Sequence, residues 1–167
     1  MGVTKVQVRS QEIDCAVGSM RQVDPLLSSV RLHREEYALV AAPALLARQA
    51  LRVPSQAGAH ALVDISRDLP LFGYWRDAPG AGDLLRFGRV LQMGTIAAIR
   101  AVVLRGDGVA VLPVYLIKPD LEARRLVRVL RGVKPLVDHF RLFFRTGDPR
   151  RSVYGALAAR MLAEPLR

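Results

Sequence analysis

Residues 87–113 read FGRVLQMGTIAAIRAVVLRGDGVAVLP, and this stretch decides the fold. FGRVLQM has the make-up of a strand, Gly94 and Thr95 form a turn, and Thr95 is placed to cap a helix with its hydroxyl. Ile96, Ile99, Val102 and Val103 then recur at three- and four-residue spacing, which puts them on one helical face. Gly106 ends that helix where a positive φ is cheap, and VAVLP returns as a buried strand. The unit is a β-α-β crossover, the building block of an α/β fold layered around a largely parallel sheet.

The same alternation extends outward. Upstream, Ile13–Val17 (IDCAV) reads as a buried strand closed by Gly18 and Ser19, and Glu36–Ala42 (EYALVAA) as a second strand stopped by Pro43. Pro43 suits the first turn of a helix over PALLARQ, because its missing N–H would have no helical partner there. A polar loop covers Pro54–His60. Leu69–Trp75 (LPLFGYW) reads as a third strand, followed by the loop RDAPGAGD over residues 76–83. Downstream come a short helix near Val114–Ile117, strands at Leu126–Leu130 and His139–Arg145, and a last helix over Pro149–Leu162, with Asp148 and Pro149 as cap and first-turn pair.

Composition narrows the class of function. A chain of 167 residues with 51% hydrophobic content builds one sizeable core or two small lobes, which excludes a large multidomain machine and disfavours disorder. The net charge of +10 is an arginine effect, and between Leu121 and Arg167 there are 11 basic against 4 acidic residues. That surplus reads as a solvated face, since no aromatic platforms alternate with it as a nucleic-acid surface would require. A lone Cys15 permits no internal disulfide, which suits a reducing cytoplasm. The opening residues become polar before any secretory apolar stretch forms, and the longest apolar run, Val109–Ile117, is too short to span a membrane.

Catalysis finds no motif. His33, His60 and His139 lie far apart and belong to no metal or nucleophile signature. Glu35 and Glu36 are neighbours on a strand, so their carboxylates point to opposite faces and cannot act together on one substrate. No catalytic residue, metal ligand or cofactor is expected. Binding is the better reading, because ligands of open α/β sheets sit beyond the carboxyl ends of strands. Gly18-Ser19, Trp75 with the loop through Gly80 and Gly82, and Gly94-Thr95 are three such ends, and Arg21 and Arg76 offer guanidinium forks to a carboxylate. Each has a plainer reading: Ser19 and Thr95 as turn or cap hydroxyls, Trp75 and Tyr74 as core aromatics, the arginines as solvated, and Cys15 as a small buried thiol.

Over AIRAVVLRGDGVAVLPVYLIKPDLEARRLVRVL (residues 98–130) the sequence resembles the effector-binding domain of LysR-type transcriptional regulators: a helix, a Gly-x-Gly break, a short strand ending in Leu-Pro, then a basic strand. QEIDCAVGS is similar to the family's Gly-x-hydrophobic-Asp strand and EEYALVAAPALLAR to its crossover strand followed by Pro and a helix. The resemblance implies a two-lobed, periplasmic-binding-protein-like (type 2) α/β fold, with residues 1–40 and 136–167 forming an incomplete lobe I and 41–135 forming lobe II. It implies no enzyme but a sensor for transcription regulation, holding a small-molecule effector, a carboxylate, between the lobes, and working as a homo-oligomer. It carries effector contacts to Gly18, Ser19, Trp75, the loop around Gly80–Gly82, and Val137. DNA would be reached only through a helix-turn-helix domain that this sequence lacks. The competing expectation is a truncated interaction fragment without a competent pocket.

Overall fold

The computed structural model describes residues 2–19, 24–81 and 85–164. In chain order the elements are α1 (Gly2–Arg9), β1 (Cys15–Ser19), β2 (Leu27–Glu35), β3 (Tyr37–Ala41), α2 (Pro43–Arg48), β4 (Ala61–Asp64), α3 (Gly73–Arg76), β5 (Arg89–Gln92), α4 (Ile96–Leu104), β6 (Ala110–Pro113), α5 (Val114–Glu122), β7 (Val127–Arg128), β8 (Asp138–Arg145) and α6 (Arg151–Ala163). They form two compact units. A continuous one spans Glu36–Val137, and a split one combines Met1–Glu35 with Asp138–Arg167.

The continuous unit is built on the segment that opened the sequence reading. Strands β4 and β5 pair in parallel, β3 pairs antiparallel with both β6 and β7, and a parallel bridge between Leu62 and Val109 joins the two sets. The strand order is therefore β5-β4-β6-β3-β7, with β3 alone running against the rest. Strands β3, β4 and β6 are buried at every residue, as expected where helices cover both faces. Thr95 caps α4 by accepting a hydrogen bond from the Ala98 N–H at 3.2 Å. Gly106 follows that helix at φ 79°, and the Arg48 guanidinium donates to its carbonyl at 2.9 Å. Beneath them Val40, Leu62, Ile99, Leu112 and Ile117 are almost wholly buried.

In the split unit all pairing is antiparallel, in the order β1-β8-β2, so the largely parallel sheet foreseen from the sequence describes the continuous unit only. One face of this sheet packs on α6: Phe144 stacks on Tyr154 at 4.7 Å, with Leu32, Leu142 and Ala158 in the same small core. Asp148 is the polar anchor. It accepts from Arg145 at 2.9 Å, from the backbone and side chain of Arg150, and from the Tyr154 hydroxyl at 3.1 Å. Its hydrogen bonds from Arg150 hold its carboxyl well below the usual carboxylate range. The last helix thus starts later than the Asp148-Pro149 pair suggested, at Arg151.

Three further expectations are corrected. The first strand is Cys15–Ser19 and not Ile13–Val17, so Gly18 and Ser19 pair within it, opposite Arg141 and Phe140, rather than turning away after it. Leu69–Trp75 is no strand. Asp64, wholly buried at the end of β4, draws the N–H groups of Leu71 (3.2 Å) and Phe72 (2.8 Å) onto its carboxylate. That curls the chain into a turn leading directly to α3. Finally, α5 runs past Ile117 to Glu122 across Pro119, tolerating the helical hydrogen bond that a proline removes. Its Asp120 is fully buried; burial pushes its carboxyl up, but the bonds from Arg100 and Arg125 outweigh this and hold it low.

Candidate functional site

Because β4 and β5 run in the same direction, their carboxyl ends finish side by side. Their pairing continues past the strands: the Met93 N–H donates to the Asp64 carbonyl at 2.9 Å and the Gly94 N–H to that of Ile65 at 3.1 Å. Gly94 then turns the chain at φ 70°, a conformation that costs glycine little. Thr95 follows as the α4 cap, exposed, with its hydroxyl oxygen occupied by Ala98 but its proton free to donate. The N-terminal turn of α4 so opens at the edge of the sheet, where backbone N–H groups and the helix dipole favour negative charge.

The chain also enters and leaves the continuous unit at this edge. Tyr37 at the start of β3 pairs with Pro113 at the end of β6. Its ring stacks on Tyr74, with centroids 3.7 Å apart and planes 15° from parallel. The carbonyl of Tyr74 in turn accepts from the Leu136 N–H at 2.7 Å. One carboxylate organises the middle of the edge: Asp64 accepts from Ile65, Leu71 and Phe72 and so fixes the turn that precedes Tyr74 and Trp75.

The sequence-derived residues are distributed as follows. Gly94 and Thr95 hold the strand-end position expected of them. Trp75 is 1% exposed and lies in the core, packed on Phe72 at 5.9 Å, with its indole Nε1 lacking a partner among the described residues. Gly80 is exposed in the following turn at φ 82°, and Val137 is 42% exposed at the unit's end. Arg76 donates to its neighbour Asp77 at 2.8 Å, a bond that raises its pKa. Gly18 and Ser19, half-buried, belong to the split unit. Gly82 and Arg21 lie outside the described residues.

Sequence reasoning missed Asp64 and the Tyr37–Tyr74 stack. The only local trace of Asp64 was an acid closing the apolar run ALVD; the partners that give it a role lie seven and eight residues on. Among the described residues no group of three or more His, Cys, Asp or Glu side chains is placed to hold a metal ion. No described helix is long and apolar enough to cross a membrane.

Comparison with known proteins gives these dimensions a context. Residues 5–165 match the LysR substrate binding domain family. The HTH-type transcriptional regulator AbaB of Streptomyces antibioticus is 33% identical over 144 residues, which is 80% of this chain and 46% of that protein. The chain thus spans about half the length of that curated relative. Among solved structures, the C-terminal domains of a LysR family protein from Agrobacterium tumefaciens superpose with a TM-score of 0.78 at 19% identity, covering 96% of this chain and 76% of that one. The CrgA regulatory domain of Neisseria meningitidis gives 0.71 at 16% identity, covering 94% and 79%. The bromide-bound regulatory domain of HypT from Salmonella typhimurium gives 0.75 at 14% identity, covering 98% and 79%.

Proposed function

The chain belongs to the family of LysR substrate-binding domains, and from that premise we propose that it is the sensing part of a cytoplasmic transcriptional regulator, binding a small organic anion and answering occupancy by movement, not by reaction. The observation that carries this reading is the shared edge of the continuous unit. There the ends of β4, β5 and β6, the open first turn of α4 and both chain passages at Tyr37 and Leu136 coincide. A ligand carboxylate at such an edge meets the N–H groups of a helix N-terminus together with the Gly94 turn and the Thr95 hydroxyl. Because the passages to the split unit start at the same edge, a ligand bound there biases how those passages run, which is how a binding event becomes a conformational one.

On this reading the effector is held by Gly94, Thr95, Gly80, Gly82 and the Trp75 segment of one lobe and by Gly18, Ser19 and Val137 of the other. The lobes are residues 41–135 and residues 1–40 with 136–167. The effector's change of state reaches DNA through a helix-turn-helix domain in a longer protein, which works as a homo-oligomer. A HypT regulatory domain of the same fold is bromide-bound, which supports an anion as the ligand class. Calorimetry against a panel of small aliphatic and aromatic carboxylates tests the reading. Saturable heat with at least one acid is expected, weakened about tenfold when Thr95→Val removes the donor proton. A folded sample that gives no heat with any acid overturns it.

A second reading, an interaction piece without a competent pocket, draws on one observation: β1 pairs only with β8 among the described residues, and an edge strand offers unpaired backbone groups to a partner. Sedimentation of the purified chain discriminates. A monomer that binds an acid from the panel favours sensing, and a concentration-dependent oligomer that binds none favours the interaction piece.

A further inference from the structure

Along β8, Phe140, Leu142 and Phe144 turn toward α6, so His139, Arg141, Phe143 and Arg145 turn to the opposite face of the split unit's sheet. At the far end of that face α1 lies over Arg145, whose guanidinium donates to the Val8 carbonyl at 3.1 Å. Nearer the start of β8, Arg141 stands directly opposite Arg31 of β2 on one side and directly opposite Gly18 of β1 on the other. Past a bulge, His139 is opposite Arg34. Two arginines facing each other across an antiparallel pair repel. Neither Arg31 nor Arg141 has a side-chain hydrogen bond or ion pair among the described residues to offset this. Asp138, the adjacent acid, faces away with the even-numbered side chains and is bound to the His139 N–H at 2.8 Å. Burial first, and then Arg31 and Arg141, hold the His139 imidazole below its ordinary pKa, against the opposing charge of Asp138.

We propose that Arg31 and Arg141, with the notch at Gly18, form a binding site for a small multivalent oxyanion of the phosphate or polycarboxylate class. A Cβ built on Gly18 meets nothing within 4 Å, so the row Gly18–Arg141–Arg31 leaves space beside two guanidinium groups that match an oxyanion's geometry. Neighbouring strands are about 4.8 Å apart, so the row is about 10 Å across, the size of a metabolite. A nucleic acid fits less well: among the described residues Phe140 is turned to the other face and Phe143 is buried, which leaves the small His139 ring as the one platform on this face for a base. The site does not rest on the effector reading, although Gly18 belongs to both.

The test uses inorganic phosphate and tricarballylate as probes at constant ionic strength, with calorimetry for affinity and the His139 ring protons in NMR for location. Saturable binding that shifts His139 and spares His33 and His60 is expected. Arg31→Gln and Arg141→Gln should each weaken it about tenfold, and Gly18→Val, which fills the notch, should weaken it too. Shifts at His139 that chloride reproduces, affinity unchanged in Arg141→Gln, or a response to duplex DNA and to neither probe would each overturn the site. Phosphate binding lost in Arg141→Gln while the carboxylate panel stays silent upholds this site and overturns the effector reading. Panel binding indifferent to Arg141→Gln, without a phosphate response at His139, overturns this site alone.

Discussion

Asp64 shows how one buried carboxylate sets the shape of the candidate edge. Among the described residues no guanidinium or lysine bonds to it; its oxygens are met by three backbone N–H groups, at 2.6 Å from Ile65, 3.2 Å from Leu71 and 2.8 Å from Phe72. Such bonds to a charged acceptor are stronger than neutral ones, and the donors have no water to turn to once the acceptor is gone. Asp64→Ala should therefore lower stability by roughly 3 kcal/mol in urea unfolding, since two of the stranded donors are buried. Asp64→Asn should cost less, because the amide keeps one good acceptor while turning an N–H toward a donor. If alanine is tolerated within about 0.5 kcal/mol, the turn is held by the packing of Leu71 and Phe72 and not by the carboxylate. The acid at 148 differs in kind. Arg145, Arg150 and Tyr154 converge on it through side chains, and it braces the small core of the split unit instead of a loop at the edge.

At the level of elements, what the sequence disclosed was what local chemistry controls. The turn at Gly94, the cap at Thr95, the stop at Gly106 and the apolar face of α4 are all written within the 13 residues Gly94–Gly106, and each appears in the structure as read. Strand β2 was missed because its residues LSSVRLHRE carry charge on both faces and a bulge between Arg31 and Arg34 breaks the two-residue period. What holds it is β8, about a hundred residues later, which no local window contains. The segment at Leu69–Trp75 was misread for the mirror-image reason: its β-like composition was overridden by Asp64. Of the site, the strand-end glycine and threonine were legible, whereas the arginine row needs the β2–β8 register to exist at all. A close backbone approach also stayed hidden. At Gly88, just before β5, a built Cβ would run into the Gly58 carbonyl oxygen, a backbone atom that cannot swing aside. Gly88→Ala should force β5 away from the 3-10 turn at Pro54–Ala59 and cost about 1–3 kcal/mol, read as a fall in thermal midpoint. Gly155→Ala, where nothing lies within 4 Å, is the control and should raise the midpoint slightly, since alanine is the better helix former. Equal midpoints for the two variants would mean that the Gly58–Gly88 approach relaxes freely.

On the scale of the whole molecule, the two units differ in how their contacts are spread along the chain. The continuous unit draws every strand from Glu36–Val137, and its core gathers Val40, Val63, Ile99, Val103, Val111 and Ile117 at essentially full burial. The split unit brings β1 and β2 to β8 across that whole intervening segment, and among the described residues its buried core is Leu32, Leu142, Phe144, Tyr154 and Ala158, with Val8 and Phe143 buried as well. The folded continuous unit already holds the two passages together, through the Tyr37–Tyr74 stack and the Leu136–Tyr74 hydrogen bond, so what sets the split unit apart is its smaller return in buried apolar surface. The split unit should therefore open while the continuous unit stays folded. Native-state hydrogen exchange checks this directly: the amides of Leu142 and Phe144 in β8 should exchange at least about tenfold faster than those of Leu39 and Val111 in β3 and β6. Urea should narrow the gap, because the opening that frees Leu39 and Val111 exposes more surface and so depends more steeply on denaturant. An oxyanion held by Arg31 and Arg141 lies wholly within the split unit, so saturating phosphate should slow exchange at Leu142 selectively, by the factor its occupancy predicts. Exchange at all four amides through one common opening, unaffected by phosphate, would mean that the chain unfolds as a single cooperative body despite the unequal cores.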